Sequence, residues 1–149
     1  MGDQFSKEKR SSIMASIRST DTGPERAMRH ALRELGIRYR LYRKIGGITV
    51  DAALPDCRVA IFVDGCFWHG CPAHFSPPST RRSYWMRKIV RNMERDAQET
   101  EVVIDSGWAV VRIWEHQLRG GGGAVRRCLL QVLTGVQRHR GNDGPQAAR

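Results

Sequence analysis

The chain reads as one mixed α/β domain, and three observations carry that reading. Its 149 residues are enough for a single buried core. Short apolar runs of strand length, such as Val59-Ala60-Ile61-Phe62-Val63, are separated by Gly, Pro and Asp punctuation. Finally, the elements come in the order helix, three strands, long helix, strand, helix, which calls for a sheet with helices on it rather than a bundle or a sandwich.

Residues 6–18 place Ile13, Met14 and Ile17 among basic and small residues, a weakly amphipathic helix. Thr22-Gly23-Pro24-Glu25 is a helix start: a threonine cap, a proline in the first turn and a glutamate closing a capping box. Ala27, Met28, Ala31, Leu32 and Leu35 then recur at helical spacing until Gly36. Tyr39-Arg40-Leu41-Tyr42 predicts a strand and Gly46-Gly47 a turn. A second strand is expected over 48–54 and a third over 58–63. A long helix is expected from about 82 to 105, with Trp85, Ile89, Met93 and Ala97 as its inner stripe, and Ser106-Gly107 stopping it. A fourth strand covers 108–114. Gly120 to Gly123 reads as a flexible joint before a short helix over 124–133. The domain is expected to span 1–136, with 1–20 as an N-terminal helical segment and 137–149 as a disordered basic tail.

The formal charge of +10 is large for this length. Arginine richness can reflect solvation alone, but guanidinium forks pair bidentately with phosphate, and a polyanion partner is the sharper reading. No apolar run approaches spanning length and no signal peptide opens the chain, so an intracellular, membrane-free protein is expected. Met1-Gly2 fits a lipidation pattern only formally. In a reducing compartment the four cysteines favour a metal over disulfides, with Cys57 and Cys128 as ordinary buried thiols.

The segment Asp64-Gly65-Cys66-Phe67-Trp68-His69-Gly70-Cys71-Pro72-Ala73-His74 concentrates the chemistry. Cys66, Cys71 and His74 supply three borderline-soft ligands from one loop, and His116, just past the fourth strand, is the candidate for the fourth. A closed four-ligand zinc site is structural, without an open position for catalysis. The alternative is a set of free thiols and a helix-start histidine. His69, between the two cysteines, would be held rigidly by a metal it does not bind.

Asp51 is a carboxylate in an apolar strand, where an unpaired charge is expensive, unless it is simply a strand-end residue facing solvent. Asp51 and Asp64 on neighbouring strands are placed to share a hard cation such as Mg²⁺. Histidine is the side chain suited to proton abstraction near neutrality, which makes His69 the candidate general base. Phe67, Trp68 and Trp85 stand among Arg81, Arg82, Arg87, Lys88, Arg91 and Arg95, a mixture suited to stacking on bases while contacting phosphates. Core packing is the competing explanation for Trp85, and a docked helix face for Met14 and Ile17.

Taken together, these residues resemble the very-short-patch-repair (Vsr) endonucleases, DNA mismatch nucleases of the restriction-endonuclease-like superfamily. The resemblance runs from about Ser11 to Leu118. It takes in Met14 and Ile17, Asp21-Thr22-x-x-Glu25, Val50-Asp51, the Ile61 to His69 segment, Tyr84-Trp85, Lys88-Ile89, Asn92, Glu94-Arg95-Asp96 and Gly107-Trp108 through Trp114-Glu115. It implies a central mixed β-sheet flanked by helices, and a nick beside the thymine of a T·G mismatch left by deamination of 5-methylcytosine. The resemblance further implies that Asp51 and the Val63 backbone carbonyl hold Mg²⁺, that His69 activates water, and that Asp96 and Glu25 orient groups around that centre. Phe67, Trp68 and Trp85 would wedge into DNA from one groove, Met14 and Ile17 from the other.

The chain departs from the family pattern in three ways. Asp64 stands where some members carry a histidine associated with leaving-group protonation, and an aspartate there favours a metal-ligand role instead. The zinc set is shifted, with His74 and His116 completing a Cys2His2 group. The superfamily's lysine after its second acid is absent, which leaves His69 as the base. The implied partners are duplex DNA containing a T·G mismatch and other mismatch-repair proteins, with the enzyme a monomer. A double-strand-cutting restriction or homing nuclease, and a non-catalytic zinc DNA-binding module, are the alternatives.

Overall fold

A computed structural model describes residues 6–16 and 19–142. Helices α1 (Lys7–Ser16) and α2 (Gly23–Glu34) lead into strand β1 (Arg40–Leu41). Next come the hairpin β2 (Lys44–Ile45) and β3 (Ile48–Thr49), then β4 (Ala52–Leu54) and β5 (Val59–Asp64). Helix α3 (Arg82–Asp105) crosses to β6 (Ala109–Trp114), and a single 3₁₀ turn (Glu115–Leu118) leads to α4 (Gly121–Asn142). The main sheet has the order β1-β4-β5-β6; β4 is antiparallel to both β1 and β5, whereas β5 and β6 run parallel. It is therefore a mixed sheet, and α3 is the long connection that a parallel pair needs.

Strand alternation divides the sheet into two faces. Leu54, Val59, Ile61, Val111 and Ile113 face α2 and α4 and pack on Met28, Leu32, Val125 and Leu129. Ala53, Ala60 and Phe62 point the other way, with Val50, Val103 and Trp108. The same alternation sends Asp51, Asp64 and Arg112 to the α3 side, so the charged groups lie between the sheet and α3 rather than in the main core.

Thr22 and Glu25 cap the start of α2 as the sequence predicts, in a variant of the usual box. Thr22 Oγ1 accepts from the Glu25 N–H at 3.4 Å and donates to Glu25 Oε1 at 3.0 Å. Glu25 reaches one residue further back than usual, accepting the Asp21 N–H at 3.0 Å through Oε2. Gly36 ends α2 at φ +67°, a conformation that glycine adopts freely.

Four expectations change. The strand expected over 48–54 is two strands, because the chain switches partners in the middle. Val50 N–H donates to Arg43 O and Asp51 N–H to Ile61 O, carrying the backbone from the hairpin to the main sheet. The inner stripe of α3 is Ile89, Asp96 and Val103, with Met93 and Ala97 exposed; the helix turns its polar residues inward because a charged cluster waits on the sheet. The glycines at 121–123 form the first turn of α4 rather than a joint. That helix also continues past the expected end at 133, through Asn142, so the backbone over 137–142 is helical rather than a disordered tail. Val125, Leu129, Val132 and Leu133 keep its apolar stripe on the core, and Val136 extends that stripe past the expected end.

Ile17 lies outside the described residues, as do residues 143–149 and the side chain of Met14. Among the described residues, no helix is long and apolar enough to cross a membrane.

Candidate active site and metal cluster

A cleft of about 610 Å³ opens where the C-terminal end of β5 meets α3 and the start of α2. Glu25, Asp51, Asp64, His69, Asp96 and Arg112 all line it, together with Trp68 and Asn92. The residues expected to be catalytic, drawn from positions 25 to 96, therefore share one cavity.

Asp51 lies just before β4. Its Oδ2 accepts the Val63 N–H at 2.7 Å, which brings the Val63 peptide against the carboxylate. Burial pushes Asp51 up to about 6, and the negative charges of Glu25 and Asp64 add to this, against the lowering effect of the Val63 N–H. A carboxylate so placed has chemistry suited to a cation, which would relieve the cost of the buried charge.

Glu25 is fully engaged in positioning: besides the cap, its Oε2 accepts the Tyr42 hydroxyl at 2.8 Å. Tyr42 also accepts the Asp21 N–H at 2.9 Å and donates its own backbone N–H to the Asp51 carbonyl at 3.3 Å, fastening the α2 start to Asp51.

His69 sits in the loop after β5. Its Nδ1 lies 2.5 Å from Asp96 Oδ2 on α3 and 3.7 Å from Asp64 Oδ1. Two further contacts pin the loop to that helix. Asn92 Nδ2 donates to the Trp68 carbonyl at 2.8 Å. Gly70, at φ +64°, brings its backbone against Met93 and Ile89, where a Cβ would meet side-chain atoms at 3.0 and 3.1 Å.

Asp64 does not stand free beside Asp51. Arg112, on β6, donates to both of its oxygens, Nε to Oδ2 at 2.7 Å and Nη2 to Oδ1 at 2.9 Å. The placement expected of Asp64, on a strand next to Asp51, is observed, but its carboxylate is engaged by a guanidinium. Sequence reading passed over Arg112. The signal was available: an arginine inside the apolar strand Ala109–Trp114 needs a buried partner as much as Asp51 does.

On the other side of the loop, Cys66, Cys71, His74 and His116 come together, with one ligand atom from each lying within 4.8 Å of all the others. Cys66 Sγ is 3.2 Å from His116 Nδ1, and Cys71 Sγ is 3.7 Å from His116 Nδ1 and 3.8 Å from His74 Nδ1. The edges of a zinc tetrahedron with nitrogen and sulfur ligands are about 3.3–3.8 Å, so donor types and spacing both fit a metal. Cys57 and Cys128 pack half-buried against the core, away from this group. Parallel pairing of β5 with β6 is what delivers His116 to the cysteine loop, and Glu115 reinforces it by accepting the Cys66 N–H at 3.1 Å.

Phe67, Trp68 and Trp85 form one half-buried aromatic cluster. Ring centroids are 5.1 Å apart for Phe67–Trp68, 5.5 Å for Phe67–Trp85 and 6.0 Å for Trp68–Trp85. Lys88 Nζ lies 5.2 Å from the Trp68 ring centre and 5.6 Å from that of Trp85. Trp68 belongs both to this cluster and to the cleft.

Comparison with known proteins agrees with this geometry. A family model described as DNA mismatch endonuclease Vsr matches residues 2–74. The DNA mismatch endonuclease Vsr of Escherichia coli is 34% identical over 80% of this chain and 78% of its own length. The chain belongs to the Vsr DNA mismatch endonuclease family. Two further relatives carry the name type II nicking enzyme. V.XorIIP of Xanthomonas oryzae pv. oryzae is 38% identical over 89% of this chain and 98% of its own. V.NaeI of Lentzea aerocolonigenes is 44% identical over 72% of this chain and 68% of its own. As a Vsr-family endonuclease, the protein acts on DNA, in keeping with its basic charge.

Proposed function

We propose that this Vsr-family endonuclease nicks one strand of duplex DNA beside the thymine of a T·G mismatch, by Mg²⁺-dependent hydrolysis on a restriction-endonuclease-like sheet. One observation carries the reading: a half-buried carboxylate, Asp51, and an imidazole, His69, from separate loops line the same cleft. The nicking relatives support the limitation to one strand, and the relative named as a mismatch endonuclease supports the substrate.

Asp51 and the Val63 carbonyl would hold Mg²⁺, which supplies charge stabilisation at the scissile phosphate. His69 takes the proton of the attacking water at Nε2, since Nδ1 faces Asp96. Asp96 keeps that ring oriented. Glu25 braces the Asp51 strand through Tyr42. Zinc in the Cys66, Cys71, His74 and His116 cluster would fix the loop that carries His69 without entering the reaction. Phe67, Trp68 and Trp85 would enter the base stack at the mismatch, where opening costs less than at a matched pair. Met14 and Ile17 would enter from the opposite groove.

The deciding experiment incubates the protein with Mg²⁺ and end-labelled duplexes, T·G against the matched control, in several sequence contexts. One cut strand, only in T·G duplexes, is expected. Cleavage of both strands, or equal cleavage of matched DNA, overturns the reading.

A further inference from the structure

Two aspartates face one imidazole in the cleft, yet only one bonds to it. Asp96 Oδ2 is 2.5 Å from His69 Nδ1, whereas Asp64 Oδ1 is 3.7 Å away. The hydrogen bonds of Arg112 account for the difference. A guanidinium has five N–H groups and no acceptor. Nε and one Nη2 hydrogen go to the two oxygens of Asp64. Nη1 donates to the Asp96 carbonyl at 3.2 Å and the Thr100 hydroxyl at 2.9 Å. Nη2 also forms an ion pair with Asp96 Oδ1 at 3.3 Å. Four of the five donors are hydrogen-bonded within the protein, so the guanidinium is committed to its neighbours. The Phe62 ring lies 4.5 Å beneath the guanidinium and fixes its plane.

We propose that Arg112 is a positioning residue that selects Asp96 over Asp64 as the partner of His69 Nδ1. The fork hydrogen-bonds both oxygens of Asp64 and ion-pairs with Asp96 Oδ1, which leaves Asp96 Oδ2 as the carboxylate oxygen without a guanidinium contact. Without the fork, Asp64 becomes a loose carboxylate beside the same ring, the imidazole divides between two acceptors, and Nε2 loses its fixed aim. A lysine cannot replace the function, because a single ammonium does not span two carboxylates in a plane. The inference rests on the reading of His69 as the base, but the hydrogen bond itself can be observed without catalysis.

Three variants test it: Arg112→Met, which keeps an apolar stem on Phe62; Arg112→Lys, which keeps the charge; and Arg112→Met with Asp64→Leu, which turns the ion pair into an apolar contact and removes the competing acceptor. Proton NMR of the parent protein should show the His69 Nδ1–H as a far-downfield resonance. Both single variants should lose that resonance and about 100-fold in kcat, with T·G duplex affinity unchanged. The double variant should regain the resonance and most of the kcat. A merely structural role predicts no such recovery. Retention of the resonance in Arg112→Lys, or a double variant no better than Arg112→Met in both readouts, overturns the proposal. If the parent protein cuts no T·G duplex while the resonances follow this pattern, the nicking assignment falls and the positioning role stands.

Discussion

The two faces of the sheet are built from the same strands and obey different rules. Toward α2 and α4, every inward residue from Leu54 to Ile113 is apolar, and the contacts are between aliphatic side chains. Toward α3, the surface is apolar only at the Trp108 and Val103 end and becomes charged toward the end of β5. The apolar face gains from area removed from water, with no directional demand. The charged face holds ions that are costly to desolvate, and it is tolerable because each is hydrogen-bonded to a partner on another element. Stability therefore resides chiefly on one side and chemistry on the other, with β5 and β6 serving both.

The sharpest way to break this division is His69→Ala. It should lower nicking by about 10²–10⁴-fold while the melting temperature and duplex affinity stay close to the parent's, measured by single-turnover cleavage and thermal denaturation. A large loss of stability instead would mean that the loop is part of the core.

On the opposite face, Ile61→Ala or Leu32→Ala should reduce stability by about 2–5 kcal/mol, as truncation of fully buried aliphatics does, read from denaturant unfolding. Cleavage by the fraction that remains folded should be near normal; a selective loss of kcat would show that the faces are coupled.

Asp51→Asn sharpens the contrast, because stability and activity should move in opposite directions. Asp51 sits at about 6 in the fold against an ordinary 3.8. A carboxylate raised in this way contributes stability that is fully present below 3.8 and lost as pH rises through about 6. The difference corresponds to about 3 kcal/mol at most. Asparagine still accepts the Val63 N–H but carries no charge. The variant should therefore melt several degrees higher than the parent at pH 8 without Mg²⁺, and should not nick DNA. An unchanged or lower melting temperature would show that the buried charge is already compensated.

The smallest expected effect is that of Trp68→Ala. It should leave matched-duplex binding alone and reduce the preference for T·G over matched DNA by about tenfold, in line with the loss of one stacking side chain. Unchanged preference in competition binding would remove the aromatic cluster from recognition.

Much of the fold was legible because it depends on local rules. The Thr22–Glu25 cap, the stop at Gly36, the bounds of α3 and the apolar runs of β5 and β6 follow from propensity and period. The misreadings are equally local in origin. An unbroken run of β-formers over 48–54 hides a change of partner, and a glycine tract looks flexible until α4 has a core to lie on. Likewise, Met93 and Ala97 looked like core because a helical stripe is normally apolar, whereas here the inward position belongs to Asp96.

By itself, the sequence determined the inventory: which residues can bind metal, move protons or stack, and the order in which strand and helix present them. Only the tertiary structure decided the pairings. Whether Asp64 meets a cation or Arg112, which aspartate holds His69, and whether His116 reaches Cys66 all depend on the parallel register of β5 with β6 and on the face that α3 turns inward. Those contacts join residues 27 to 50 positions apart. Spacing along a chain fixes neighbours within a turn or a strand, but partners this distant are chosen by the packing of the whole sheet.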